Sequence, residues 1–367
     1  MIRGTLFAGV ASLAIMLAAA APASAQIKIG VAGPITGEYA TFGKQMTDGA
    51  ELAIADINAK GGVLGQKLEL VKGDDACDAK QAVSVANKFA SEGVKFVAGH
   101  FCSSTSIPAS KVYAEEGILQ ITPASTNPKF TEEGSWNTFR TCGRDDQQGK
   151  VAGHLLATEY KGEKIANLHD NSTYGKGIAD ETKKNMNAEG KTEALYQPYV
   201  PGERDYTALV SRLKEAGIQV IYFGGYHTEI GLIARQAREQ GLKAALVGPD
   251  SLTAKELWQI SGPAGEGLIF TFPSDPRNLA TAVDVVKEFK AKGIDPEGYV
   301  LYTYAAIQEW AEAATKAGSA DPKKVAETLK AGSWPTVLGT LSYDKKGDVT
   351  KSDYVWYIWH DGNYSQM

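Results

Sequence analysis

Cysteine and histidine are scarce in this chain, with three of the former and five of the latter in 367 residues. No C-x-x-C or H-x-x-x-H spacing occurs, so no metal site is expected. The G-x-S-x-G turn, the H-E-x-x-H pair and the EF-hand loop are all missing, which removes the usual signatures of a serine hydrolase, a zinc peptidase and a calcium site. The stretch from Gly37 to Gln45 superficially resembles a phosphate loop. Its glycine spacing is one residue too long, and Gln45 stands where Ser or Thr would hold magnesium. Gly30, Gly33 and Gly37 do not match G-x-G-x-x-G, so no dinucleotide cofactor is expected, and no other cofactor is implied. Long runs of like charge are also lacking. With 38 Lys and Arg against 43 Asp and Glu, the net charge of −5 argues against nucleic acid or an anionic membrane as partner.

Beyond residue 25 no apolar run approaches the roughly 20 residues that a membrane-spanning helix needs. Residues 1–25 carry one charge, Arg3, then an apolar stretch from Leu6 to Ala21, and close on Ala23-Ser24-Ala25. That is the pattern of a cleaved secretory signal peptide, with cleavage expected before Gln26 and export of a soluble mature chain. No cysteine follows the cleavage site, so a lipid anchor is not expected there. Asn171-Ser172-Thr173 matches a glycosylation acceptor formally, and with a short, bacterial-type signal it is treated as incidental.

Cysteine usage suits an oxidising compartment. Cys77 and Cys102 each follow a predicted strand of one sheet and are expected to pair. The bridge would constrain the unfolded chain by roughly 3–4 kcal/mol in the loop-entropy account. Cys142 is left over and is expected to be a buried, inert thiol.

From Gln26 onward, short apolar runs alternate with amphipathic segments of 3.6-residue period. Strands are expected at 27–32, 67–72, 94–99 and 118–122, with helices at 43–60, 79–92 and 104–116. A second series has helices at 147–160, 175–189, 206–216 and 229–240, with strands at 164–169, 193–199, 220–223 and 244–247 and a short helix after Thr253. Helices at 281–292, 299–317 and 322–331 and strands at 338–343 and 354–359 close the chain. Repeated βα units imply parallel sheets covered by helices. The length exceeds what a single core supports, so two lobes are expected, joined by several crossings because no low-complexity linker separates the series.

In open parallel sheets ligands bind beyond the carboxyl ends of the strands. Those positions carry Phe101-Cys102-Ser103-Ser104-Thr105-Ser106 and Pro123-Ala124-Ser125-Thr126-Asn127 in the first series. Hydroxyls and free N–H groups at a helix start favour an anion, although N-capping alone explains one such cluster. The second series offers Tyr174, Tyr226 and Asp250. Thr253-Ala254-Lys255-Glu256 reads as a capping box, which would free Asp250 to face the cleft and receive a cation. An anion-accepting lobe opposite a cation-accepting one suits a zwitterion.

Asp56-Ile57-Asn58-Ala59-Lys60-Gly61-Gly62, Asp74-Asp75-Ala76-Cys77-Asp78, Gly99-His100-Phe101-Cys102-Ser103-Ser104, Ile121-Thr122-Pro123-Ala124-Ser125-Thr126 and Gly224-Gly225-Tyr226-His227 resemble the leucine/isoleucine/valine-binding protein family, in family order along the whole mature chain. The resemblance implies a type I periplasmic binding fold of the α/β class, with two doubly wound parallel-sheet lobes joined by a three-segment hinge. It implies a periplasmic, monomeric receptor that closes around a free L-amino acid and delivers it to the inner-membrane permease of an ABC transporter, with no enzymatic activity. The lobes would comprise 26–144 with 274–354, and 145–273 with 355–367, and the hinges would lie near 143–145, 273–276 and 352–356. The family's carboxylate-binding positions match Ser103, Ala124 and Thr126. Its aromatic wall matches Tyr174 and Tyr226, and its side-chain pocket matches Phe42 and Tyr299. Cys102, beside Ser103, is counted with the site and in the disulfide with Cys77.

Two departures bear on specificity. The ammonium-binding acid is commonly Glu in this family, whereas Asp250 is one methylene shorter. Phe101 stands where leucine-type receptors carry a smaller aliphatic residue, so small ligands (Ala, Val, Pro or 4-aminobutyrate) are expected to be accepted as well as Leu or better, if the ring faces the pocket. The competing readings are an amide, urea or aromatic-acid receptor of the same fold and, more distantly, a secreted hydrolase.

Overall fold

The short apolar runs form two sheets, one wholly parallel and one parallel with two antiparallel strands at its edge. The computed structural model describes residues 26–367, so the signal-peptide expectation for 1–25 lies outside the described residues. The first sheet holds β1 (Ile27–Gly33), β2 (Leu68–Asp74), β3 (Phe96–Gly99), β4 (Leu119–Thr122) and β5 (Thr138–Arg140). Its order is β2-β1-β3-β4-β5, all parallel, with Ile29 flanked by Leu70 and Phe96. The second is built on β6 (Ile165–His169), β7 (Leu195–Pro198), β8 (Val220–Gly224), β9 (Ala245–Gly248) and β10 (Ile269–Phe272). After a two-stranded hairpin, β11 (Ser333–Thr336) and β12 (Gly339–Ser342), the chain adds β13 (Val355–His360) and β14 (Asn363–Gln366) antiparallel at the edge of the second sheet. Its order is therefore β14-β13-β10-β9-β8-β6-β7.

Each sheet reverses its winding once. The chain leaves β1 for β2 on one side and returns to β3 on the other, and it does the same from β6 to β7 and β8. At such a switch point the two following loops run apart and leave a crevice. The loops after β1 and β3 lead to Phe42 and Phe101, and those after β6 and β8 lead to Tyr174 and Tyr226. The topology thus delivers four aromatic residues to two crevices.

The late helices return to the first sheet. Trp310, on the helix Val300–Ala317, stacks on Phe96 of β3 at 5.2 Å. That helix also crosses the helix Ala40–Ala59 so closely that a Cβ on Gly49 would lie 2.3 Å from the Val300 carbonyl, so the crossing requires glycine there. In the second lobe, Gly149 lets the helix Asp145–Thr158 press against the helix Thr173–Ala188, where an added Cβ would meet Glu181 at 2.7 Å.

Buried charge ties two of the crossings together. The Arg140 guanidinium is fully buried and donates to Asp348 Oδ1 at 2.7 Å, while Arg144 donates to Asp348 Oδ2 at 2.6 Å. Arg140 also donates to the carbonyls of Ser125 (2.5 Å) and Asn127 (3.1 Å), fixing the loop after β4.

Several elements differ from the sequence reading. Strands β5, β10, β11 and β14 were not expected. β5 is only three residues long, β11 contains Pro335, and β14 is a mostly exposed, polar edge strand. The expected capping box does not form: the helix Glu256–Ser261 has Lys255 at its N-cap with no side-chain cap, and Thr253 donates instead to the Asp250 carbonyl at 3.3 Å.

Candidate functional site

The two crevices face one another and enclose a cavity lined by Phe101, Ser103, Ala124 and Tyr299 on one side and Tyr174, Tyr226, Asp250 and Ser251 on the other. It is tight. About 200 Å³ is free of protein atoms. A larger groove lies elsewhere on the first lobe, between the helices Ala40–Ala59 and Val300–Ala317, and shares no residue with the cleft.

The first wall rests on stitched loops. Thr122 Oγ1 donates to the His100 carbonyl at 2.6 Å, and Ser125 Oγ donates to the Phe101 carbonyl at 2.8 Å. Ser103 starts the helix Ser103–Glu115, and its Oγ accepts the Asn127 N–H at 3.3 Å. Behind them the Cys77–Cys102 disulfide joins the loops after β2 and β3. Beside it His100, fully buried, bridges Asp75 (2.6 Å) and the Tyr113 hydroxyl (2.9 Å). Cys142 is buried as expected, and burial pushes its thiol far above the ordinary range.

The second wall centres on Asp250, which is 2% exposed. Tyr174 donates to its Oδ1 at 2.5 Å, Tyr299 to its Oδ2 at 2.6 Å, and Gln148 Nε2 to its Oδ1 at 3.1 Å. Burial raises the carboxyl above its usual range, and these three donors pull it back by favouring the charged form. A carboxylate offers about four lone-pair positions, so three donors leave room for a ligand N–H. Asp250 thus faces the cavity because tyrosines and Gln148 hold it there, not because a neighbouring cap released it.

The aromatic residues form a continuous surround. Phe42 stacks on Phe101 with centroids 4.2 Å apart and 13° between planes. Tyr299 meets Phe101 edge-on at 5.3 Å, and Tyr226 lies 5.1 Å from Tyr174. Phe101 lines the cavity, so its ring faces the pocket. Of the residues expected at the site, Ser103, Ala124, Asp250, Tyr174, Tyr226, Phe101 and Tyr299 come together on the cavity. Phe42, Cys102 and Thr126 lie one layer behind it. The Thr126 hydroxyl is buried beside Asp145, near enough to favour that group's charged form but outside good hydrogen-bond geometry.

Four residues escaped the sequence reading. Gln148 has no local signal, since a glutamine on an amphipathic helix reads as solvent-facing. Ser251, whose Oγ donates to the Gly225 carbonyl at 2.5 Å, simply follows Asp250. Tyr39 packs at a tilt of 33° on Tyr226, with centroids 4.4 Å apart, and donates across the cleft to Glu229 at 3.3 Å. His227 meets the Phe42 ring edge-on, and burial pushes it down to about 4, so it is neutral. Among the described residues neither Ser103 nor Ser251 is hydrogen-bonded to a histidine. The site offers donors, one anion and aromatic walls, which is equipment for holding a small zwitterion.

Comparison with known proteins agrees with this geometry. A family model described as periplasmic binding protein matches residues 26–363. A protein of Brucella suis named Leu/Ile/Val-binding protein homolog 1 is 52% identical over 100% of this chain and 99% of its own length. A leucine-, isoleucine-, valine-, threonine- and alanine-binding protein of Pseudomonas aeruginosa is 48% identical over 91% of this chain and 90% of its own. Among solved structures, a leucine-binding protein of Thermotoga maritima superposes with a TM-score of 0.86 at 28% identity, covering 93% of this chain and 97% of its own.

Proposed function

Because this chain belongs to the periplasmic binding protein family, we propose that it is a periplasmic receptor that captures a free L-amino acid between its lobes and delivers it to the permease of an ABC transporter. The single observation that carries the ligand class is Asp250, a buried carboxylate held by three donors in a closed aromatic cavity opposite the start of the helix Ser103–Glu115. A neutral amide or an aromatic acid would leave that charge without a counterpart, which costs far more than the pocket's apolar contacts return. The ligand ammonium meets Asp250, and its carboxylate meets Ser103 and Ala124, with Thr126 buried behind them. Phe101, Tyr174, Tyr226 and Tyr299 surround its side chain, and Phe42 backs the Phe101 ring.

The tight cavity and the inward ring of Phe101 support a preference for small side chains. The relatives are named for leucine, isoleucine and valine, and one also for threonine and alanine. The lobes are residues 26–144 with 274–354 and 145–273 with 355–367. The receptor acts as a monomer without enzymatic activity.

The test is a thermal-shift panel on mature protein freed of ligand, with L-amino acids, D-leucine, 4-aminobutyrate, simple amides, benzoate and sugars. A ligand at 1,000 times its Kd adds about 4 kcal/mol. Stabilisation by L-amino acids supports the receptor reading. Silence from every amino acid with a response to an amide or benzoate overturns it.

A further inference from the structure

Two carboxyl groups lie buried behind the cleft, and only one of them is equipped to be an anion. Asp145 and Gln148 sit three residues apart in the first turn of the helix Asp145–Thr158, so they share a face. Both are fully buried. Gln148 is locked in one orientation. Its Oε1 accepts the Asp250 backbone N–H at 2.9 Å and the Thr271 hydroxyl at 2.6 Å, which turns its NH2 toward Asp250 Oδ1 at 3.1 Å. A backbone N–H can only donate, so a reversed amide would set its NH2 against that N–H and its oxygen against Asp250 Oδ1. Asp145, by contrast, has neither carboxyl oxygen in a hydrogen bond of good geometry among the described residues.

We propose that Gln148 is a positioning residue for ligand capture: by accepting the Asp250 backbone N–H and joining Tyr174 and Tyr299 as donor to its side chain, it helps make Asp250, and not Asp145, the anion that meets the ligand ammonium. This rests on the receptor reading above. A carboxyl that faces fixed donors is favoured ionised, and one buried without them keeps its proton. Two acids in neighbouring but different environments thereby take different roles. The other groups that sense Asp250 are Cys142 and the hydroxyls of Tyr174, Tyr222, Tyr226, Tyr299 and Tyr354, all held protonated by burial. Arg140 lies on the Asp145 side, committed to Asp348 and backbone carbonyls. The proton of the pair therefore resides on Asp145, which burial and the Asp250 charge both hold up.

The experiment is calorimetric titration with L-alanine and L-leucine between pH 5 and 8. Asp250 must be ionised to bind, so removing its donor moves the acid limb of binding to higher pH. Gln148→Met is expected to weaken binding about tenfold, as for loss of a hydrogen bond to a charged group, with a larger deficit at pH 5 than at pH 8. Gln148→Glu keeps both accepted hydrogen bonds and donates only while its own carboxyl is protonated, so its deficit is expected to grow with pH instead. It also serves if the Met variant does not fold. Asp145→Asn, which mimics a neutral acid, is expected to bind within about threefold of wild type, less than the loss of one charged hydrogen bond.

Deficits that do not vary with pH, or no deficit at all, overturn the role of Gln148. A loss in Asp145→Asn as large as that in Gln148→Met overturns the assignment of charge. If wild-type protein binds no L-amino acid of the thermal-shift panel, the receptor reading itself falls, and this role falls with it; if it binds another one in place of alanine and leucine, that one is the titrant.

Discussion

The hydroxyl of Tyr299, at the start of a helix that packs on the first sheet, donates to Asp250 Oδ2 of the second lobe at 2.6 Å. The bond crosses the cleft, so the residue that would hold the ligand ammonium also holds the lobes together. A bond of this kind favours the closed arrangement over an open one. Tyr299→Phe removes this bond while keeping the ring against Phe101. Affinity for the bound amino acid should fall roughly 10- to 100-fold, the range for one hydrogen bond to a charged group, and the ligand-free protein should become more open. Calorimetry and the radius of gyration from solution scattering check the two parts.

Phe101→Leu tests the pocket's size. The Phe101 ring lies between Phe42, which stacks on it, and the edge of Tyr299. Its replacement by a smaller residue opens space on the ligand's side-chain end. The ratio of Leu to Ala affinity should rise, by about the 10- to 200-fold that a methylene or two is worth in a packed pocket. Parallel titrations of both ligands give the ratio, and an unchanged value would sink the steric account.

Asp348 is the shared partner of two guanidiniums, one of them fully buried. Asp348→Ala strands the Arg140 charge in the interior. Removing one partner of a buried pair typically costs about 3–5 kcal/mol, and here it should also loosen the loop carrying Ala124 and Thr126, which Arg140 grips through the Ser125 and Asn127 carbonyls. Chemical denaturation should show the stability loss. Ligand affinity should fall with it, whereas Arg144→Ala, at the partly exposed end of the network, should cost less on both counts.

Much of this architecture was legible because its signals are local. Glycine-punctuated apolar runs gave the strands that lead into both switch points, and the loops after them carry Phe101, Ser103, Tyr174 and Tyr226 by topology alone. Asp250 was reached by position, but the reason offered was wrong: no capping box forms, and distant tyrosines hold the carboxylate. What escaped depends on packing between segments far apart in the chain. Gln148 meets Asp250 across 102 residues and Tyr39 meets Glu229 across 190. Neither pairing leaves a mark in local periodicity. β10 was missed although Ile269-Phe270-Thr271-Phe272 is mostly apolar, because so short a run does not separate a strand from a buried helix segment.

Glu309 provides a prediction about stability alone. It is fully buried on the helix Val300–Ala317, one oxygen accepting from the Tyr343 hydroxyl and the other without a partner. Burial, with a smaller push from Glu312, raises its carboxyl from an ordinary 4.5 to about 8. The folded state therefore holds a proton that the unfolded chain releases. The contribution of this group is fully present below about pH 4.5 and is lost as pH rises through about 8. Glu309→Gln is neutral at every pH and keeps an acceptor for Tyr343. The variant should gain stability relative to wild type across that window, reaching on the order of a few kcal/mol at pH 9. Any cost of the amide itself is independent of pH, so it displaces the difference without tilting it. Calorimetric melting of both proteins at pH 5, 7 and 9 gives the slope, and a flat difference would mean that Glu309 is ionised in the folded protein throughout.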